Sequence, residues 1–253
     1  MIEQLAPNDR TELADSPTRA TDQSSLARVL AGGAAIIAIT HLAWLAVIGD
    51  VIPQVIVIST LAVTTAVVGL RHARIGAWTG VVVGALQTVG WLWLASPAIR
   101  HPESTADFLH SALLAVGLVV LLTATTGILR GRTMPPRGLV AGAAIVTVVA
   151  IATSGVARLA SSSDPIGDAD MTLVSERLAW DQSELALSTG DSIYVENRDA
   201  AHHTFTVDGT DIDVELPADR ARLIRIDLSP GTYTYVCDVR GHENMVGTLI
   251  VNE

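Results

Sequence analysis

The chain has 253 residues, 49% of them hydrophobic, a mean hydropathy of +0.43 and a net charge of −10. That hydropathy excludes a disordered chain and argues against an ordinary soluble enzyme. The acidic balance, with all 16 basic residues arginine, argues against nucleic acid as a partner, and a single cysteine, Cys237, excludes a disulfide within the chain.

Residues 1–25 are polar, with proline and mixed charge, and read as a disordered tail. They lack a short basic start followed at once by an apolar core, so they do not read as a signal peptide. Five apolar stretches follow at about Val29–Ile48, Val51–Leu70, Ile75–Ala95, Phe108–Leu129 and Gly138–Ala157, and none contains Asp, Glu or Arg. About 20 residues at ~1.5 Å each match the ~30 Å core of a bilayer. Residues 26–158 are therefore predicted to form an all-α region of five transmembrane spans.

Arginine placement predicts the orientation. Arg10, Arg19 and Arg28 precede the first span, the Gly49-Asp50 loop has none, and the next loop has Arg71 and Arg74. Arg100 then stands against Glu103 and Asp107, and Arg130, Arg132 and Arg137 share the last loop. This alternation predicts a cytoplasmic N-terminus in a multi-pass cell-membrane protein, with everything after Ala157 outside the cytoplasm. Trp44, Trp91 and Trp93 fall toward outer ends of spans and Trp78 near an inner end, as in an aromatic belt. The pairs Gly80/Gly84 and Gly138/Gly142 would let helices approach closely. His41 and His110 lie inside spans and are candidates to ligate haem or pass a metal, against the plainer reading of neutral histidines bonded to a neighbouring helix. His72 and His101 read as solvated loop residues.

Residues 159–170 (LASSSDPIGDAD) read as a linker whose ~40 Å reach would leave the next domain tethered but mobile. From Met171 to Glu253, short alternating runs are separated by turn residues: Ser192–Glu196, His203–Val207, Arg222–Leu228, Thr232–Cys237 and Gly247–Val251. This pattern predicts a small all-β sandwich. Its 15 acidic residues and six arginines hold nearly all of the net charge. That acidic face is either a plain solvated surface or a dock for a basic partner.

Cys237 opens the segment Cys237-Asp-Val-Arg-Gly-His242-Glu-Asn-Met245, which offers a thiolate, an imidazole and a thioether within nine residues. A further imidazole comes from the earlier segment Asn197-Arg-Asp199-Ala-Ala-His202-His203-Thr-Phe205, where His203 and His202 compete for the role. A thiolate, two imidazoles and a weak thioether suit a mononuclear blue-copper site. Zinc more often takes four strong Cys or His ligands, and calcium or magnesium would want oxygen.

The ordered motifs resemble the cupredoxin family of plastocyanin- and azurin-type copper proteins. They are Leu178-Ala-Trp180-Asp before Gly190-Asp191, then Asn197-x-Asp199-x-x-x-His203-x-Phe205, then Leu216-Pro217-Ala218. Pro230-Gly231-Thr-Tyr233-x-Tyr235-x-Cys237 and Gly241-His242-x-x-Met245-x-Gly247-Thr248-Leu249 complete the set. The resemblance covers about a third of the chain and implies a Greek-key sandwich holding one type 1 copper at one end. It implies His203, Cys237, His242 and Met245 as the metal ligands and His202 as a rim residue. Three departures stand out: Cys-x4-His-x2-Met pairs a long Cys–His gap with a short His–Met gap, Thr204 replaces the family's frequent Asn, and Arg240 replaces a frequent Pro. The Thr204 change predicts loss of the bond that ties the two ligand loops, and Arg240 adds charge at the rim.

The sequence thus favours an electron carrier over an enzyme: a membrane-anchored copper protein moving single electrons to or from a redox partner protein, in solution or itself membrane-bound, with the bilayer around its spans. Copper binding and delivery is the first alternative. A membrane redox enzyme using the copper domain as its electron port is the second.

Overall fold

A computed structural model describes residues 17–131 and 136–253. Five helices fill the N-terminal part: α1 (Pro17–Ile48), α2 (Pro53–Arg71), α3 (Ala73–Gly90), α4 (Thr105–Leu129) and α5 (Pro136–Ala160). Each overlays its predicted stretch to within a few residues, apart from the early start of α1. An apolar run of this length closes its backbone hydrogen bonds most economically on itself. Helix α1 begins at Pro17, so residues 17–25, expected to belong to a disordered tail, are helical. The rest of that tail, with Arg10, and also Arg132, lie outside the described residues. Beyond α3 the chain widens into a π-helical turn (Trp91–Ala95) and tightens into a 3-10 turn (Ser96–Arg100). Pro97, which has no amide to donate, breaks the α-helical ladder there.

Helix α1 packs on α2 and α4, α3 packs on α4, and α5 lies chiefly against α4. Helices α1 and α4 approach closely: a Cβ on Gly33 would stand 2.6 Å from the Leu121 backbone nitrogen. Gly80 and Gly84 meet Thr125 and Leu122 of α4, as their spacing suggested, whereas Gly138 and Gly142 face open space. The outer faces keep large apolar side chains uncovered, among them Val82, Val89, Val148 and Ile151. Among the described residues, five helices are long and apolar enough to cross a membrane.

The C-terminal part is a two-sheet sandwich of eight strands: β1 (Met171–Ser175), β2 (Glu184–Ser188), β3 (Ser192–Asn197), β4 (His203–Val207), β5 (Asp213–Leu216), β6 (Ala221–Arg225), β7 (Gly231–Val236) and β8 (Val246–Asn252). One sheet has the order β1-β3-β6 and the other β2-β8-β7-β4-β5. Pairs β1–β3 and β2–β8 are parallel, and the remaining pairs are antiparallel. Side chains alternate across the sheets, so Leu173, Leu185, Ile193, Val195, Phe205, Ile226, Tyr235 and Leu249 meet in one core. Trp180 sets its edge against Phe205 and Tyr235.

Residues 161–170 are not a free tether. The Ser163 hydroxyl accepts the Ala221 amide, the Asp164 carboxylate accepts the Leu223 amide, and the Asp164 amide donates to the Ala221 carbonyl. Asp170 exchanges hydrogen bonds with Ser192 at the start of β3. Short Ser and Asp side chains, which give the segment its linker-like composition, here satisfy the edges of β6 and β3.

The sandwich is also seated on the bundle. Ser104, fully buried, accepts the Ala218 amide through its hydroxyl, 114 positions along the chain. Arg158 at the end of α5 donates to the Ala218 carbonyl and pairs with Asp219 at 2.7 Å. Arg220 donates back to the carbonyls of Arg158 and Ser161. These bonds correct the expected mobility: the domain is docked, with His202 and Ala218 held at the start of α4 and Asp219 and Arg220 at the end of α5.

Candidate metal centre

His203 begins β4, and Cys237 directly follows β7. The segment between Cys237 and β8 is a closed turn. The Cys237 amide donates to the Met245 carbonyl, the Met245 amide to the His242 carbonyl and the His242 amide to the Val239 carbonyl. Gly241 makes that reversal possible at φ +94°, a conformation side chains other than glycine's rarely adopt. The turn carries His242 back over Cys237.

Three donor atoms converge as a result. Cys237 Sγ lies 3.6 Å from His203 Nδ1 and 3.5 Å from His242 Nδ1, and the two Nδ1 atoms are 3.0 Å apart. His203 and Cys237 are buried, and His242 is half-exposed at the rim. Met245 is buried beside them at the close of the turn. Of the two rival histidines, the strand presents His203 to the sulfur, and His202 faces the bundle instead.

The surroundings fix which His203 nitrogen is available. His203 Nε2 donates to Asp199 Oδ2 at 2.8 Å, which turns Nδ1 toward Cys237 and His242. Asp199 is itself held by the amides of Arg177 and Leu178, at 2.6 and 3.1 Å. Those two residues are left-handed, with φ of 58° and 57°, so their amides point the same way, into the carboxylate. Asn197, buried, donates to the carbonyls of Ala201 and Leu216 and accepts the Asp199 amide, locking the loop that leads to His203.

The Thr204 substitution does not cut the two ligand loops apart, contrary to the sequence expectation. Thr204 Oγ1 accepts the Asp238 amide at 2.8 Å, and the Thr204 amide points at Cys237 Sγ at 3.4 Å. A hydroxyl one residue past the histidine reaches the same loop from the strand. Arg240 also does more than add charge. It donates to the Trp93 carbonyl and places its guanidinium 4.4 Å over the Trp93 ring, clamping the ligand turn to the end of the bundle.

Ionisation in the cluster follows from these contacts. Burial pulls the His203 imidazolium down, but the Asp199 carboxylate and the Cys237 sulfur raise it overall. Burial pushes the Cys237 thiol up, yet hydrogen bonding from His203 and His242 brings it below the ordinary thiol range. Asp199 is raised by burial but ends low through His203 and the Leu178 and Arg177 amides. A thiolate beside imidazole nitrogens in a water-poor pocket is the donor chemistry of a soft or borderline metal ion, and copper fits it.

The structure also places the histidines outside this cluster. His101, expected to be solvated, stacks on His202 with ring centroids 4.0 Å apart. Burial and the neighbouring His101 hold His202 below the usual imidazole range. In the bundle, His41 Nε2 donates to Gln87 Oε1 at 3.0 Å, leaving Nδ1 to accept from His110 Nε2 at 3.0 Å. This is the plainer reading of those two histidines. Trp44 stacks on His110 and donates to Asp107.

A family model described as a cupredoxin-like domain matches residues 144–251, from within α5 to the end of β8. No curated protein matches the chain. Among solved structures, amicyanin from Paracoccus versutus is 22% identical, with 36% of this chain and 90% of that one covered at a TM-score of 0.31. Auracyanin A, a "blue" copper protein from the green thermophilic photosynthetic bacterium Chloroflexus aurantiacus, is 19% identical, with 32% and 96% covered at a TM-score of 0.27.

Proposed function

Taking the C-terminal part of the chain as a cupredoxin-like domain, we propose that this protein is a membrane-anchored copper protein that passes one electron at a time. His203, Cys237 and His242 hold a single copper of type 1, with the Met245 thioether as a weak fourth ligand. Convergence of one sulfur and two imidazole nitrogens within 3.6 Å of one another carries the reading. Bound there, copper supplies a reversible one-electron couple.

The chain's own residues make that exchange inexpensive. Asp199 fixes the His203 ring, Thr204 ties the ligand turn to β4, and the closed backbone of 237–245 keeps His242 in place. A frame held from three sides changes little when the charge of the site changes. The five helices anchor the domain in the bilayer. The arginine alternation favours an orientation with the N-terminus in the cytoplasm and the copper domain on the other side. The electron partner is a redox protein that meets the half-exposed His242 edge.

The test is absorption spectroscopy of the full-length protein saturated with Cu(II). An intense sulfur-to-copper band, abolished in Cys237→Ser, is the expected result. A colourless protein that holds only Cu(I) would overturn electron transfer in favour of copper delivery. A second reading, the domain as electron port of a redox group inside the bundle, is favoured by the contact of Trp44 and His202 with one Asp107 carboxylate. It requires a second chromophore that disappears in His41→Ala.

A further inference from the structure

We propose that His101, His202 and Glu215 form a second cation site, located where the sandwich meets the bundle. Among the described residues, two groups of His, Cys, Asp or Glu side chains bring three ligand atoms within 4.8 Å of one another. One is the Cys237 centre and the other is this trio. Its members come from both parts of the molecule. His101 stands in the connection before α4, His202 just before β4, and Glu215 in β5.

The contacts suit a metal. His202 Nδ1 lies 3.3 Å from the Ser104 hydroxyl, which already accepts the Ala218 amide, so one side of the ring is fixed by a buried partner. The other nitrogen, Nε2, faces the Glu215 carboxylate at 2.5 Å. At that distance the two atoms share a proton, and a cation taking its place would be held by the same nitrogen and the same carboxylate. His101 stacks against His202 and brings its own ring to the same spot, with Glu103 3.5 Å from its Nδ1 as an outer carboxylate. Asp107 binds the His202 amide and so fixes the residue from its backbone side.

Two imidazoles and a carboxylate select a borderline divalent ion, Zn(II) or Cu(II), rather than a hard one. With bonds of about 2.0–2.2 Å, two ligand atoms on one ion stand ~3–3.5 Å apart. His202 Nε2 and the Glu215 oxygen would therefore part slightly while the His101 donor, within 4.8 Å of both, settles at the same spacing. The half-exposed His101 ring and the exposed Glu215 side chain are free to make that adjustment. A bound cation would join the bundle to the sandwich. It would also sit one peptide bond from His203, but it needs no metal at the Cys237 centre, so the site stands or falls independently of the proposed function.

The test uses the full-length protein in lipid nanodiscs, saturated with Cu(II) and freed of loose metal, with copper counted per chain and Cu(II) followed by electron paramagnetic resonance. Two ions per chain are expected, one giving the sulfur band and the other a signal without sulfur character. His101→Ala and Glu215→Gln should each lower the count from two to one and leave the sulfur band unchanged. Glu215 is 58% exposed in its side chain, so its substitution leaves the fold intact, as circular dichroism would verify. A sulfur band with only one ion per chain in the unsubstituted protein, or a sulfur-free ion that survives both substitutions, would overturn the proposal. Loss of the sulfur band with the second ion retained would overturn the proposed function alone.

Discussion

The Asp107 carboxylate in the first turn of α4 accepts the backbone amide of His202 at 2.7 Å, so the bundle grips the residue immediately before a proposed copper ligand. The other carboxylate oxygen accepts the Trp44 indole at 2.9 Å, so one side chain joins α1, α4 and the sandwich.

Asp107→Ala removes both acceptors at once. A buried amide left without a partner costs ~1–3 kcal/mol, enough to loosen the seat without unfolding either part. The expected outcome is at least a several-fold rise in hydrogen exchange at 201–204 and 217–220, with exchange in the sandwich core unchanged. Unaltered exchange at His202 would mean that the Arg158 and Ser104 contacts hold the domain alone.

Thr204→Val keeps the shape of the side chain and deletes the hydroxyl that accepts the Asp238 amide. The site is nearly closed to water, so the loss should be ~1–2 kcal/mol of domain stability, read by denaturant unfolding. Thr204→Ser should restore most of it. A Val variant as stable as the parent would show that the ligand turn is held by its own backbone bonds.

Asp199→Asn places an amide group where three donors converge: His203 Nε2 and the amides of Arg177 and Leu178. The asparagine oxygen can serve only part of this set, so the metal-free domain should lose ~1–3 kcal/mol. The pH dependence gives a separate check. Asp199 titrates below its ordinary value in the folded chain, so its contribution is complete above about pH 4 and lost as pH falls through the depressed value. The Asn variant should show a flatter acid limb in a stability–pH profile.

Tyr235 sets the opposite limit. Burial raises its phenol to about 12, and the hydroxyl donates to the Gln182 carbonyl. Because the unfolded chain ionises first, stability should be complete below about pH 10 and decline as pH rises through the folded value. Tyr235→Phe should remove the part of the alkaline decline that sets in above about pH 10, at a constant cost of ~1 kcal/mol for the lost bond, measured by denaturation between pH 8 and 11.

The helices were the most legible part of the sequence, because an uninterrupted apolar run of about 20 residues leaves the backbone few alternatives. Strands β3, β4, β6, β7 and β8 were readable from alternation, and β1, β2 and β5 were not. The segment Glu184–Ser188 (ELALS) is rich in helix formers and becomes a strand only by pairing with β8. Asp213–Leu216 is an acidic edge strand that leans on β4. Cys237, His242 and Met245 stood out from their spacing, whereas the choice of His203 over His202 came from the family resemblance. Thr204, Asp199, Ser104 and His101 could not be assigned their roles, because their partners lie up to 114 positions away and only the packed chain brings them together.

The hydrogen bonding of Ser163, Asp164 and Asp170 to the sandwich edges has a kinetic consequence. A domain fastened along its approach and again at its base has no reach, so it cannot ferry charge between stations. On the proposed reading, every exchange is a collision at one fixed address. Turnover should then grow in proportion to the concentration of the visiting carrier and stay insensitive to solvent viscosity terms arising from swinging of the domain itself.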